Sequence, residues 1–448
     1  MKPLVLALFC VVTSLSAQNY QTESSFTSSG FLSNDTSPFW FYTNEFGRND
    51  PTTDVLVLGE TSHQFKLTET SNLKVNAGLL FQNGTSGKTL QIDNAYLQYT
   101  NSWLNARIGS FHQDIELDGI SSTNKNILWS GNTRAIPGIL LEANAPIKIW
   151  GWLGLDWGIG HYELIDDRYV KGANIHYKHL GAHIKLSDKS KLHFEIQHFA
   201  QWAGTSPRFG KQPSKVSDFI DVFFAKRSGS DDAPEGEVIN ALGNHLGSYN
   251  LSYTYTLDKG TLELYHQHLF EDGSGTALKN FPDGIWGAHL TFNNSILKAV
   301  NYEYIHTKNQ NGFGTVSGND NYFRNGIYDS GWTYENRTIG LPFIQPQSFY
   351  NPMGNSRVQG HHFGLLSSYK SFELQLKASY IESLGTYVQP FIPKRKALYT
   401  YAGLTYKTNN VGQFTIKTGL DILSYSGNLL GLAGSYKYTF TQKSASLM

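Results

Sequence analysis

The sequence predicts an all-β fold, a transmembrane antiparallel β-barrel of about 16–18 strands with long extracellular loops, at ~10 residues per strand. Three observations predict it. Alternation is the first: between Gly247 and Gly275, Tyr249, Leu251, Tyr253, Tyr255 and Leu257 share one parity and Ser248, Asn250, Ser252, Thr254 and Thr256 the other. Successive side chains point to opposite faces of a strand, so this segment is aromatic on one side and polar on the other. Composition is the second. Aromatic residues make up 14%, with 26 Tyr, 27 Phe and 43 Gly, yet mean hydropathy is −0.34, as suits many strands that are apolar on one face only. The third is a secretory leader followed by no other run near the ~18 apolar residues of a spanning helix.

Taken in order, residues 1–17 read as a signal peptide: Lys2, an apolar stretch from Leu4 to Val12, and small residues to Ala17. Cys10 lies inside the apolar stretch behind the bulky Phe9, which argues against lipid attachment. Removing the leader removes the one cysteine, and with it any disulfide or thiolate metal site. Residues 18–54, rich in Ser, Thr and Asn, are expected to form a periplasmic segment or a plug entering the barrel, which then occupies 55–448. Strands are expected at 73–81, 90–99, 102–111, 147–160, 172–186, 191–202, 285–293, 296–307, 359–369, 372–380, 396–407 and 411–423, besides the 247–275 hairpin. Connections divide into tight turns, such as Asp258-Lys259-Gly260, and the long segments 203–246, 271–284 and 308–358. Barrels of the outer membrane show this asymmetry. Asp218 to Arg227 fits a short amphipathic helix or an apolar strand. Gly434, Tyr436, Tyr438 and Phe440 share one parity, as in a closing strand that shows aromatics to lipid.

Few residues carry a catalytic pattern. "GWLGLDWGIG" (151–160) lacks the helix and downstream acid of a nucleotide loop and reads as a strand whose glycines leave room inside the barrel. His266 and His268 share a strand face, but no spacing fixes a third ligand, so neither a metal nor a cofactor is expected. Glu271-Asp272 and Asp231-Asp232 are loop carboxylates without the opposed spacing of a glycosidase pair. A formal net charge of 0 gives no general attraction to nucleic acid. The long loops instead interleave aromatic with polar residues, in "QWAGTSPRFG", "NFPDGIWG" and "GNDNYFRNGIYDSGWTYENRT". Aromatic faces cover the C–H side of a sugar while Asp, Asn and Arg pair its polar groups. Trp202, Arg208, Asp283, Trp286 and Trp332 are the residues expected to form an extracellular glycan surface.

In these loops the chain resembles the capsule assembly Wzi family of Gram-negative outer-membrane proteins. The resemblance rests on "SPFWFYTNEFG" (37–47), "LWSGNTRAIPGI" (128–139), "QWAGTSPRFGK" (201–211), "SDDAPEGEVINALGNHLGSY" (230–249), "YHQHLFEDGSG" (265–275), "NFPDGIWG" (280–287) and "GNDNYFRNGIYDSGWTYENRTIGLPFI" (318–344). It implies a barrel of about 18 strands whose lumen is blocked by helices and inward-folded loops. It further implies a non-enzymatic surface lectin that helps anchor or organise exported capsular polysaccharide. A monomer in outer-membrane lipid is expected. The alternative is a porin or substrate-specific channel, because lumen-facing Ser, Asn and Thr suit water equally well.

Overall fold

The structure, a computed structural model, describes residues 20–85, 88–226, 241–312, 320–346, 354–408 and 410–443. The expected signal peptide and the Asp231-Asp232 pair lie outside them. Among the described residues, eighteen strands form one sheet, each antiparallel to its neighbours in chain order. The last, Leu429–Lys443, pairs with the first, Tyr20–Ser33, setting Phe440 opposite Ser24 and Tyr438 opposite Phe26. Closure removes every free sheet edge, which a membrane requires because lipid cannot satisfy open backbone groups.

Two sequence expectations are corrected here. Tyr20–Ser33, assigned by sequence to a segment outside the wall, is a full barrel strand. Its outward parity carries only Phe26 and Leu32 as large apolar residues, so its alternation is faint. The single strand expected at 147–160 is broken by a two-residue turn at Gly151-Trp152. Ile147–Trp150 continues Pro137–Ala143, and Leu153–Glu163 returns beside both. The remaining expected strands lie where the alternation put them, within a few residues, while Val55–Lys66 and Pro137–Ala143 are strands outside that set.

The long connections all lie at one end. At one end none exceeds the five residues of 67–71 or 408–412; at the other stand 34–54, 111–136, 203–243 and 307–357. The wall sorts by face. Leu79, Leu90, Leu180, Leu251, Ile416 and Phe440 stand exposed on the outside. An apolar band of this kind suits a surface turned to lipid. Near the short turns it is edged by Trp103, Trp150, Trp152 and Phe372, an interfacial aromatic girdle. In the 247–275 hairpin Leu251 and Tyr255 face outward, while Ser248 and Ser252 are buried inside.

The hydrophobic core lies in the lumen. The helix Phe39–Tyr42 and the segments 111–136 and 320–346 fold inward, and Trp40, Phe41, Ile127, Leu128, Phe323 and Trp332 pack there fully buried. Lumenal glycines make the fit. A Cβ at Gly364 would meet the Ile120 carbonyl oxygen at 2.2 Å, and one at Gly431 would meet Pro38 at 2.5 Å. The glycines of 151–160 serve the wall itself: Gly158 accommodates the His179 ring and Gly160 the Tyr162 ring. Segment 203–243 behaves differently. Its helix, Val216–Phe223, is capped by the Asp218 carboxylate accepting the Lys215 backbone N–H at 2.7 Å. Phe219 and Val222 of this helix cover Trp202 and Ala200. Phe199 and Gln201 point into the lumen, so Ala200 and Trp202 point outward, and the helix lies on the outer wall.

Candidate functional site

Three buried carboxylates moor the plug. Asp93, lumenal on strand Leu90–Thr100, accepts from Arg48 (2.8 Å) and Arg134 (2.8 Å), and His112 lies 3.2 Å away. Arg48 belongs to 34–54 and Arg134 to 111–136, so one wall carboxylate holds two inward segments. Glu303, on strand Leu297–His306, accepts from the Ser121 hydroxyl (2.6 Å), the Ser122 N–H (2.8 Å) and the Tyr265 hydroxyl (2.7 Å). Asp283 accepts from His306 (2.8 Å), the Asn309 and Gln310 N–H groups (2.9 and 2.8 Å) and the Tyr322 hydroxyl (2.8 Å). Charge-assisted bonds of this kind are the strong ones, and each here joins separate segments.

The five residues proposed from sequence do not converge. Trp332 is buried in the plug; its indole N–H donates to the Leu128 carbonyl at 2.6 Å and its ring meets Phe199 edge-on at 5.5 Å. Asp283 is buried with its oxygens engaged as above. Trp202 lies under the outer-wall helix, 5.4 Å from the Phe219 ring. Trp286 also faces outward, stacked on His266 at 3.7 Å with its N–H directed to the Pro282 carbonyl at 3.2 Å. His268, by contrast, is buried against the Gly275 carbonyl (3.2 Å), so these two histidines do not share an ion. Asp272 caps the short helix Gly273–Thr276 through the N–H groups of Ser274 and Gly275, and Glu271 accepts from the Phe323 N–H at 2.6 Å. These are structural carboxylates.

Arg208 is the exception. It sits exposed at the tip of a small hairpin in which Thr205 pairs with Lys211 and Ser206 with Gly210. The Arg208 guanidinium lies 5.0 Å from the centre of the exposed Phe209 ring. Lys171 bridges Thr205 from the neighbouring connection, and Lys171 and Lys211 are both exposed. The tip thus sets one cation beside one exposed aromatic face, with Lys211 and Lys171 exposed at the base of the hairpin and the Lys171 ammonium 3.8 Å from Asp167. Sequence reasoning missed Lys171 because its pairing with Thr205 spans 34 residues and leaves no local pattern.

The capsule assembly protein Wzi family matches this chain over residues 40–343. The chain belongs to that family. Wzi of Escherichia coli, described as a carbohydrate-binding β-barrel involved in group 1 capsule assembly, shares its fold at a TM-score of 0.61. Identity there is 14%, over 97% of this chain and 87% of that one. A BenF-like porin from Pseudomonas fluorescens (TM-score 0.53, 10% identity, 94% and 99% covered) and OccAB4 of Acinetobacter baumannii (0.52, 8%, 95% and 99%) are similar in fold too. Among curated proteins no sequence match was found. The span matched to the Wzi family, 40–343, contains most of 34–54, all of 111–136 and most of 320–346.

The loop end of this Wzi-family barrel also carries a pH dependence. Burial, with Asp272 and Asp283 nearby, pushes the Asp320 carboxyl from the ordinary 3.8 up to about 7. Burial pushes Glu271 well above its usual range as well, against the opposing hydrogen bond from Phe323. A raised carboxyl pKa means that the folded loop binds its proton more tightly than the unfolded chain. The loop is therefore favoured in acid and loses that advantage as pH rises from about 4 through about 7. Amide hydrogen exchange at 320–326, corrected for intrinsic rate, is expected to show stronger protection at pH 5.5 than at pH 8. The Asp320→Asn variant should flatten that difference.

Proposed function

We propose that this Wzi-family protein is a sealed outer-membrane barrel that holds exported surface polysaccharide at its long-connection end and thereby assists capsule assembly. The observation that carries the reading is the packed lumen. Among the described residues, three inward segments fill it with a hydrophobic core moored by buried ion pairs. A wide aqueous path is what a porin needs, and that packing opposes it. The carbohydrate binding described for the Escherichia coli protein supports the same reading. The long connections then face the cell surface. There the Lys171, Arg208, Phe209 and Lys211 patch suits an acidic glycan, with cations for its carboxylates and a ring for a sugar face. Among the described residues, the candidate loop carboxylates Glu271 and Asp272 are spent on backbone N–H groups, which favours binding over hydrolysis.

The test is direct binding. Purified barrel in detergent should capture acidic surface polysaccharide from its own strain, and the triple substitution Arg208→Ala, Phe209→Ala, Lys211→Ala should weaken capture at least about tenfold, or ~1.4 kcal/mol. Capture should fall with added salt. Undiminished capture by the triple variant would move the site elsewhere on the loops. A steady large conductance of the wild-type protein in planar bilayers would favour the channel reading.

A further inference from the structure

We propose that Asp156, His183 and His193 form a binding site for a divalent transition-metal ion, with Zn²⁺ as its model ligand, on the lumenal wall of the barrel. The inference is independent of the polysaccharide reading. The three residues come from the adjacent strands Leu153–Glu163, Asn174–Lys185 and Ser190–Trp202. His183 pairs directly with His193 in register, and Asp156 lies diagonally across from His183, opposite Gly181. All three project into the lumen, sharing parity with the core residues Tyr162, Ile175 and Phe199 of the same three strands.

Their donor atoms converge. One ligand atom from each of the three lies within 4.8 Å of the other two. The His193 Nε2 is 3.5 Å from Asp156 Oδ2, about the spacing of two ligands on one tetrahedral ion with bonds near 2.0–2.2 Å. His183 Nε2 contacts the same oxygen, and the two imidazoles stack at 4.1 Å. His193 Nε2 is buried, and its one acidic neighbour, Asp156 Oδ2 at 3.5 Å, is too distant for a good hydrogen bond, which leaves room for an ion between them.

The wall is also shaped for the group. A Cβ at Gly181 would meet the Asp156 carboxylate oxygens at 2.4 and 2.6 Å, and one at Gly158 would meet the His179 ring at 2.4 Å. Glycine at both positions lets the carboxylate and imidazoles lie flat against the strands. His179 supports the set from outside it: its Nε2 stands 3.2 Å from Asp156 Oδ1, and its Nδ1 is 2.8 Å from the Tyr177 hydroxyl. Such outer partners fix the orientation of a ligating carboxylate. Two imidazoles and one carboxylate suit zinc-like ions, and three ligands leave a position for water or a lumenal guest. His193 borders a polar cavity of about 280 Å³ with Glu195, Asn250 and Ser252.

The experiment uses untagged full-length protein, refolded or purified in detergent and stripped with chelator. Zn²⁺ titrated calorimetrically should saturate at one ion per chain, and Co²⁺ should give the visible absorption of a site bound by nitrogen and oxygen. The His183→Ala, His193→Ala double variant should lose at least about a hundredfold in Zn²⁺ affinity, and Tyr177→Phe about tenfold. His266→Ala, on the outer wall, should bind as the wild type does. Heat-modifiable mobility keeps loss of folding distinct from loss of ligands. Zn²⁺ binding by the folded double variant as tight as by the wild type, or no stoichiometric binding by the folded wild type, would overturn the proposal.

Discussion

The Asp93→Ala variant is expected to conduct ions where the wild-type barrel does not. The substitution removes the one anion that Arg48 and Arg134 share and leaves both guanidinium groups in the lumen without their counter-charge. Breaking a buried pair on one side costs about 3–5 kcal/mol, because the surviving charge is left uncompensated. Here two charges survive, on two different inward segments. The barrel wall keeps its strand ladder, so the cost should appear as release of the plug rather than as unfolding of the sheet. Planar-bilayer recordings should show openings absent from the wild type, with heat-modifiable mobility retained. Asp93→Asn, which keeps the shape and some hydrogen bonds, should be milder. A variant as silent as the wild type would mean that apolar packing alone holds the plug.

The Trp332→Ala variant is expected to be the most destabilising substitution within the plug itself. The indole is fully buried among Leu128, Phe199 and their neighbours, and large-to-small changes at such sites cost about 3–5 kcal/mol. The Leu128 carbonyl also loses its donor, worth roughly a further 1–3 kcal/mol. Protease sensitivity of 320–346 should rise sharply, and glycan capture should fall only as far as the loop end is disordered. The outcome separates the two roles considered for this residue. A variant with an undisturbed plug but lost capture would return Trp332 to the glycan surface.

These cases mark what the sequence could express. Strands are a local property: alternation in Tyr249 to Leu257 follows from one face meeting lipid and the other the lumen, so they were readable to within a few residues. Where Ser, Thr and Gly interrupt the outer face, as in Tyr20–Ser33, the same rule loses contrast and the strand was missed. The plug is less legible. An inward loop needs aromatic residues for its core just as a glycan surface needs them for stacking. Trp332 and Asp283 therefore looked like surface residues until their partners Leu128 and Tyr322 were in view. Trp286 and Trp202 misled for a second reason. They continue the strand parity, which sends them to the outer wall, while Arg208 lies beyond the strand end and stays free. Long-range register hid the histidine cluster as well. Asp156, His183 and His193 look unremarkable in the chain and meet only because three consecutive strands pair in one register.

The measurement that bears most directly on the central claim is the partition of surface polysaccharide between cells and medium in a strain lacking this protein. The polysaccharide-holding reading predicts unchanged total polymer with a larger share shed into the medium. It also predicts that the wild-type gene restores retention and the Arg208, Phe209, Lys211 triple variant does not. Unchanged cell-bound polymer in the deletion strain would contradict it and leave transport through the barrel as the better account.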